Sequence, residues 1–503
     1  MKAAIEWLAA NGCGYPAAHL KMDSRSIARG DVFVAVPGVV AGKSTDGRAF
    51  IDAAVARGAA AILAEAAGRP AAEPGVPTLW IENLRARLGD LAARFYGEPT
   101  RRLLTIGVTG TNGKTSCSQW IAQMLTMAGE RCAVHGTVGA GLVDLPLEKT
   151  ALTTPDVVTM QRDARRFADA GAVAIAMEVS SIGLDQHRLD GVQFRVALFT
   201  NLTRDHLDYH GTMEAYGRAK AQLFAWPSLT HAVLNLDDPF GLQLAVQLCA
   251  RDGMQVIGCT TAAARVEGLA TRLRASAIGT GPGGLAFRVD DGTHATQIDV
   301  PLVGQFNVAN VLGVLGAALA CGLGFEDACR LAPRLVPPPG RMQRVGEAGE
   351  PLAVIDYAHT PDALAQALAA LRPLARARRG ALWVVFGAGG DRDPGKRAPM
   401  GAAAADGADC IVITSDNPRN EDPAAIVGAV AAGVPAHRET AVKRIVDRAA
   451  AIAYAVRAAA ANDVVLVAGK GHEDYQEIRG ERREFSDVAH ARAELARRRE
   501  KPC

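Results

Sequence analysis

At 503 residues the chain is too long for one hydrophobic core, and at roughly 150 residues per domain it divides into about three. Hydrophobic residues make up 49% and charged residues 21%, which suits layered α/β packing rather than disorder or fibre. A formal net charge of +2 leaves no electrostatic footprint for nucleic acid, and the basic stretch from Arg492 to Lys501, interspersed with Ala, Leu and Glu, reads as the solvated face of a last helix.

In chain order, Met1 to Ala10 contains Glu6 and lacks a basic stretch followed by an apolar run, so no signal peptide is expected. The first segment, to about Pro99, mixes a short strand at Asp31 to Val36 with a helix at Phe50 to Ala56 and holds no phosphate loop. The second opens with a strand at Leu103 to Val108, a Gly/Thr loop and a helix from Lys114. Apolar strands follow at Ala172 to Met177, Val196 to Thr200 and Ala232 to Asn235, which predicts a mostly parallel sheet. The longest apolar run, Val311 to Phe325, is broken by glycines and falls short of the ~20 residues that span a bilayer, so a buried helix and no membrane insertion are expected. Val336-Pro-Pro-Pro-Gly340 cannot continue either regular element and reads as a linker. Beyond it, strands at Leu352 to Ile355, Leu382 to Phe386, Ile411 to Thr414 and Val464 to Val467 alternate with Ala-rich helices, a second parallel α/β unit. Nine cysteines without a C-x-x-C pair imply reduced thiols in a cytoplasmic protein rather than zinc or a disulfide framework.

The strand-to-helix segment Gly107-Val-Thr-Gly-Thr-Asn-Gly-Lys-Thr115 carries the chemistry of a phosphate loop. Backbone N–H groups converge there and the helix dipole favours anions. Gly110 and Gly113 allow close approach of the backbone to phosphate, Lys114 reaches the outer phosphates, and the Thr115 hydroxyl is offered to Mg²⁺. The usual spacing asks for a glycine where Val108 stands. A triphosphate site also needs hard ligands for its metal. Glu178, at the carboxyl end of its strand, is the first candidate, and the next strand brings His206 to the same sheet edge.

Five motifs in order, Thr109-Gly-Thr-Asn-Gly-Lys-Thr115, Glu178-Val-Ser-Ser181, Asn201-Leu-Thr-Arg-Asp-His206-Leu-Asp-Tyr-His210, Asn307-Val-Ala-Asn310 and Asp356-Tyr-Ala-His-Thr-Pro-Asp362, resemble those of the Mur ligase family over essentially the whole chain. Within that family the chain looks like the branch that adds meso-diaminopimelate. The resemblance implies an α/β fold of three domains: a UDP-substrate domain over 1–98, a central P-loop-type parallel-sheet ATPase domain over 99–336, and a C-terminal Rossmann-like domain over 337–503 that binds the amino acid. It implies ATP as co-substrate, Mg²⁺, and an acyl phosphate made on the terminal carboxylate of UDP-N-acetylmuramoyl-L-alanyl-D-glutamate and displaced by the incoming amine. A monomer is expected.

What the resemblance implies residue by residue is as follows. Gly110, Thr111, Asn112, Gly113, Lys114, Thr115 and Ser116 hold the phosphates, with Glu178, His206 and Lys220 completing the catalytic set. Lys220, in Ala215-Tyr-Gly-Arg-Ala-Lys220, matches a lysine that relatives carry as a carbamate (N6-carboxylysine), and would join Thr115, Glu178 and His206 as a metal ligand. Asn307 and Asn310 lie near adenine. Arg341 and Asp356 reach the nucleotide from the C-terminal domain, Arg341 at the hinge where it couples nucleotide to domain closure; His359 is a weaker candidate. Ser24 matches the uridine-site serine, and Thr153, Thr154, Ser180, Gln186 and Arg188 the sugar-peptide contacts. Ile182 departs from the family's pattern, which often has His there. In Ser415-Asp-Asn-Pro-Arg419, Arg419 suits the extra carboxylate of diaminopimelate while Asp416 or Asn417 meets its ammonium. Pro418, Arg392, Gly469 and Glu473 complete that pocket.

Three kinds of alternative remain at this point. A lysine-adding ligase of the same family, or a folylpolyglutamate synthase, shares the general plan but not the Asp416 to Arg419 run or the Ser24 segment. A P-loop kinase or hydrolase accounts for Lys114 and Thr115 and leaves the third segment and its acid/Arg pocket without work. A non-enzymatic nucleotide-binding module leaves Glu178 and His206 beside the phosphate loop unexplained.

Overall fold

A computed structural model describes residues 1–500 apart from 41–42, 70–72, 263, 282 and 348, so that Lys501 of the basic tail lies outside the described residues. The chain forms two compact units. One is built from Met1–Gly258 with Arg265–Thr271 and Gly316–Leu323, and the other from Cys259–Ala264, Arg272–Leu315 and the chain from Gly324 on.

The first unit begins with a four-stranded parallel sheet in the order Leu20–Lys21, Val32–Ala35, Ala61–Glu65, Thr78–Ile81. Its strands are apolar on both faces, as parallel strands between helices must be. Val32, Val34 and Leu63 pack with Leu88 and Leu91 of the helix Leu84–Phe95, while Phe33, Ala35 and Ile62 turn to Ile51 and Ala54 of the helix Ile51–Ala56. The larger sheet of this unit runs Gln255–Thr260, His231–Asn235, Phe194–Phe199, Leu104–Thr109, Ala174–Glu178, Cys132–Gly136, Gly139–Leu142. The four strands from Phe194–Phe199 to Cys132–Gly136 are parallel, and Gly139–Leu142 turns back antiparallel. Leu104–Thr109 is thus central, and its carboxyl end feeds the phosphate loop and the helix Lys114–Met127.

In the second unit an antiparallel meander, Thr271–Gly281, Gly284–Asp290, Ala295–Val300, was not legible as such: its alternation of exposed and buried residues is interrupted by glycines and by a register shift between Ser276 and Gly279. The apolar run after it forms the helix Phe306–Ala320, with Val308, Val311, Leu312, Val314 and Leu315 buried. Pro337 to Pro339 are in neither helix nor strand, as their missing N–H groups and fixed φ dictate. The last sheet runs Gln343–Val345, Leu352–Asp356, Val464–Ala468, Leu382–Phe386, Cys410–Ile413, Val442–Arg444, parallel except for its first strand. Its period of two is plain in the packing. Val354, Val384 and Leu466 join the helices Pro361–Ala377 and Arg397–Gly407 on one face, and Ile355, Val385 and Val467 join Arg448–Ala458 on the other. Ligands of such doubly wound sheets lie beyond the carboxyl ends of the strands, where the Asp416–Arg419 and Gly469–Glu473 loops emerge. Among the described residues no helix is long and apolar enough to cross a membrane.

Candidate active site

The phosphate loop is held from outside by main-chain contacts that demand its glycines. Gly110 has φ +145, and a Cβ there would fall 1.9 Å from Thr200 Oγ1. Gly113 has φ +87 and caps the helix start. Val108, at the position of the missing Walker glycine, is a fully buried residue of the strand itself, so the turn begins two residues later than in the common loop. The neighbouring segment braces the turn: Thr111 N donates to Asn201 O (2.8 Å), Asn112 N to Asn201 Oδ1 (3.0 Å), and Thr200 Oγ1 to Asn112 O (2.6 Å). Lys114 Nζ donates to the carbonyls of Gly110 and Thr111, both at 2.9 Å. Ser116 follows, half-buried, in the first helical turn.

Beside the loop, Thr115 Oγ1 donates to Glu178 Oε2 (2.9 Å), joining the hydroxyl and the acid that the sequence singled out. Thr137 donates to the same carboxylate through its N–H (2.7 Å to Oε1) and its hydroxyl (3.2 Å to Oε2), and Thr153 Oγ1 lies 3.1 Å from Thr137 Oγ1. A Cβ on Gly136 would come within 2.2 Å of Glu178 Oε1, so the acid is packed directly against backbone. Lys220 is 1% exposed, and its Nζ donates to Gly110 O (2.8 Å) from above the Tyr216 ring. Burial, and then the positive charge of Lys114, push its amine down to about 6, against a weaker opposing pull from Asp205. His206 stands apart from this cluster. It adopts φ +52, its side chain is 46% exposed, and among the described residues no hydrogen bond joins it to Glu178. His210 instead sits 2.9 Å from Ser181 Oγ, tilted against the Tyr216 ring, and Tyr216 Oη lies 3.2 Å from Thr111 Oγ1.

The proposed sugar-peptide residues assemble next to Glu178. Thr154 Oγ1 donates to Glu178 O and accepts from Ser180 N, both at 2.9 Å; Ser180 Oγ caps a short helix through Gly183 N (3.0 Å). Arg188 grips Gln186 Oε1 with Nε and Nη2 (3.0 and 2.6 Å) and donates to Thr154 O (3.1 Å). Ser24 is buried at the head of a single turn capped by Asp23, after the strand Leu20–Lys21.

In the second unit, Asn307 Nδ2 donates to Val303 O (2.7 Å) and Asn310 Nδ2 to Asn307 Oδ1 (2.9 Å), both residues buried. Asp356 accepts from Met342 N (2.8 Å) and Ala358 N (2.9 Å); burial raises its carboxyl, against the pull of those amides and of Arg341. The Arg341 guanidinium lies 4.9 Å above the Tyr357 ring. His359 is exposed, its Nδ1 2.9 Å from Tyr357 O.

The Asp416–Arg419 turn folds against the Gly469–Glu473 loop. Asn417 Nδ2 donates to Glu473 Oε2 (2.9 Å), and a Cβ on Gly469 would come within 2.5 Å of Asp416 Oδ2. Arg419 has φ +51 and Nη1 on Gly390 O (2.7 Å); a Cβ on Gly389 would meet both Arg419 Nη1 and the Cγ of the exposed Arg392. A Cβ on Gly390 would strike the Pro418 carbonyl. Behind both loops the fully buried Arg448 pairs with Asp487 through Nε and Nη2 (2.8 and 2.7 Å) and donates to Ser415 O (3.2 Å) and Ala468 O (2.9 Å).

Three family models cover most of the chain: Mur ligase family, catalytic domain, over residues 17–96; Mur ligase middle domain over 108–318; and Mur ligase, glutamate ligase domain, over 340–471. A protein of Janthinobacterium sp. (strain Marseille) named UDP-N-acetylmuramoyl-L-alanyl-D-glutamate--2,6-diaminopimelate ligase is 49% identical over 500 residues, covering 98% of this chain and 96% of that protein. The chain belongs to the Mur ligase family. A second relative of the same name, from Ralstonia nicotianae, is 50% identical over 98% of this chain and 96% of its own. A solved structure titled as that ligase is 37% identical with a TM-score of 0.69, covering 96% of this chain and 95% of its own.

As a Mur ligase, the chain has the α/β fold of three domains with parallel sheets. Three groups in these sites were not singled out from sequence. Thr137, the residue directly after the strand Cys132–Gly136, had no motif to mark it. Arg448 and Asp487 are 39 residues apart and meet only in the fold. Lys470 does carry a local signal, a lysine between two glycines; it is fully buried and bonds Asn417 and Glu473.

Proposed function

We infer that this chain joins meso-2,6-diaminopimelate to UDP-N-acetylmuramoyl-L-alanyl-D-glutamate, converting ATP to ADP and phosphate, in the synthesis of peptidoglycan precursors. The observation that carries the reading is the Asp416–Arg419 turn tied by Asn417 to Glu473, which sets acids and a guanidinium on one sheet edge. A kinase or hydrolase has no use for such a pocket, and a bare ammonium makes no use of the Arg419 guanidinium, which is held by Gly390 O and Glu477. We place the reaction in the cytoplasm, read the enzyme as a monomer, and set the domain boundaries near 98 and 336.

The loop amides and Lys114 hold the triphosphate, so that an acceptor carboxylate can approach the γ-phosphorus against less charge repulsion. One carboxylate oxygen attacks phosphorus, the bond to the β-phosphate oxygen breaks, and ADP leaves. The amine then attacks the acyl carbon, its N–H proton is lost, and phosphate departs. The amine must be neutral to attack, and its ordinary pKa near 10 means that a proton is removed first. Arg188 and Thr154 would orient the acceptor, and Asn307, Asn310, Arg341 and Asp356 would contact the nucleotide.

Thr115 and Glu178 fit Mg²⁺: both offer hard oxygens 2.9 Å apart, and among the described residues no group of three or more His, Cys, Asp or Glu could hold a metal, which suits an ion completed by phosphate and water. Bound there it would neutralise phosphate charge. His206, the third ligand expected from sequence, stands apart from this pair and would have to turn towards it to join the ion. We also read Lys220 as a carbamate, because its amine is buried and lowered to about 6, so it is neutral and nucleophilic towards CO₂ at pH 7. The nitrogen lone pair attacks carbon and one proton leaves, turning a neutral amine beside Lys114 into an anion. Loss of one CO₂ mass on depletion of bicarbonate would verify it; an unmodified lysine in bicarbonate would end it.

The deciding assay is ADP release with an amino-acid panel. Release should require both the uridine-linked muramoyl dipeptide and diaminopimelate; equal turnover with L-lysine would contradict the reading.

A further inference from the structure

We propose that Lys470 sets the polarity of the amino-acid pocket, locking Asn417 as a hydrogen-bond donor and holding Glu473, so that the pocket accepts a far end bearing both ammonium and carboxylate rather than a bare ammonium. The inference rests on the reading of this pocket as the diaminopimelate site and assigns its parts.

Asn417 Oδ1 accepts from Lys470 Nζ (3.0 Å) and from Glu477 N (3.0 Å). An ammonium and a backbone amide can only donate, so the atom facing both must be the amide oxygen, and its two lone pairs are then used. The nitrogen donates one N–H to Glu473 Oε2 (2.9 Å). What Asn417 can still offer a ligand is its second N–H, which suits a carboxylate and cannot receive an ammonium. Of the two ammonium partners expected from sequence, only Asp416 remains.

Glu473 is governed by the same lysine. Its Oε2 takes both Asn417 Nδ2 and Lys470 Nζ (2.8 Å), which leaves Oε1 for an ammonium. Lys470 is 0% exposed, 5.3 Å from the Tyr475 ring centroid, so its charge works inside the network and not on solvent. Its inward course depends on the glycines either side: Gly469 has φ +120, and Gly471 has φ +55 with its Cβ position 2.8 Å from Tyr357 Cβ. The pocket therefore sorts into donors, Asn417 N–H and the Arg419 guanidinium, and acceptors, Asp416 and Glu473 Oε1. Arg419 is already held by Gly390 O and by Glu477, so a substrate with an ammonium but no carboxylate leaves the second Asn417 N–H unpaired, which is discrimination by an unmet hydrogen bond. Lys470 does not touch substrate in this scheme; it is a positioning residue.

The test is steady-state ADP release by the full-length enzyme with saturating ATP and muramoyl dipeptide, varying diaminopimelate or L-lysine. For Lys470→Met the KM for diaminopimelate should rise at least ~10-fold with kcat within ~3-fold, and Lys470→Arg should recover part of it. Its KM values for ATP and dipeptide should not move. Asn417→Asp keeps both acceptor contacts but removes the N–H and adds negative charge beside Glu473. It should raise the ratio of lysine to diaminopimelate kcat/KM by ~10-fold or more, and this arm stands even where Lys470→Met does not fold. An unchanged KM for diaminopimelate in folded Lys470→Met, or an unchanged ratio in Asn417→Asp, overturns the role. A wild-type enzyme that uses lysine and not diaminopimelate overturns the functional reading itself, a result distinct from either variant outcome.

Discussion

The phosphate loop and the amino-acid pocket both emerge from the carboxyl ends of parallel strands, but they are held in place by different parts of the chain. Around Gly110 to Thr115 the braces are largely main chain: the Asn201 carbonyl and side chain meet loop amides, and even Lys114 and Lys220 point at the carbonyl of Gly110. Around Asp416 to Arg419 the ties run from side chain to side chain across three loops, Asn417 to Glu473 and Lys470, Gln476 to Ser415, Arg448 to Asp487. A site made of backbone tolerates no change in glycine spacing and little else constrains it. A site made of side-chain contacts depends on residues far from any motif.

The largest expected effect tests the first half of that contrast. Lys114→Ala removes the cation that would meet phosphate in the loop, and kcat/KM for ATP should fall by at least ~10³-fold, about 4 kcal/mol of transition-state stabilisation, with melting temperature nearly unchanged because the loop's braces are main chain. A large loss of stability would show that the loop leans on this side chain after all. The converse holds behind the pocket. Arg448→Met strands the buried Asp487 and releases the carbonyls of Ser415 and Ala468, so unfolding stability should drop by about 3–5 kcal/mol in denaturant titrations, the cost of breaking a buried pair. A drop under 1 kcal/mol would mean that the two loops do not need this pair.

The same contrast explains what was legible. Leu382–Phe386 was read residue for residue because a fully buried parallel strand is a continuous apolar run, and Gly110, Gly113 and Lys114 were legible because backbone demands a fixed pattern. The Thr271–Val300 meander was missed because glycines and a register shift blur its period of two. The Asn201 motif was noticed for His206, yet its bonds to the loop come from Asn201 and Thr200, a role that no residue type announces. Arg419 lies between these cases: its run marked it, and its φ of +51 and its bond to the Gly390 carbonyl fix where it points. Arg419→Ala should cost ~2 kcal/mol in kcat/KM for diaminopimelate while leaving KM for ATP alone, a split that initial-rate kinetics resolves. Equal losses against both substrates would mean that the residue supports the fold of the unit and not one ligand.

A slope with pH, in place of a fixed loss, distinguishes the two buried lysines. Lys470 has a carboxylate partner, whereas Lys220 has a carbonyl, an aromatic face and the like charge of Lys114, and its folded pKa of about 6 lies well below the ordinary 10.5. Between those two values the unfolded lysine binds a proton that the folded one has given up, so this group makes stability rise with pH through the window from about 6 to about 10. Below pH 6 the folded chain is protonated as well and the cost is at its full size. Lys220→Met lacks the titration. In bicarbonate-free buffer it should therefore be more stable than wild type near pH 6.5, and its advantage should shrink towards pH 9, by no more than about 1.4 kcal/mol per pH unit. Added bicarbonate should narrow the gap at neutral pH, because a carbamate has no amine left to protonate. A gap that stays constant from pH 6.5 to 9 would place the Lys220 pKa outside that window and remove the physical basis for its modification.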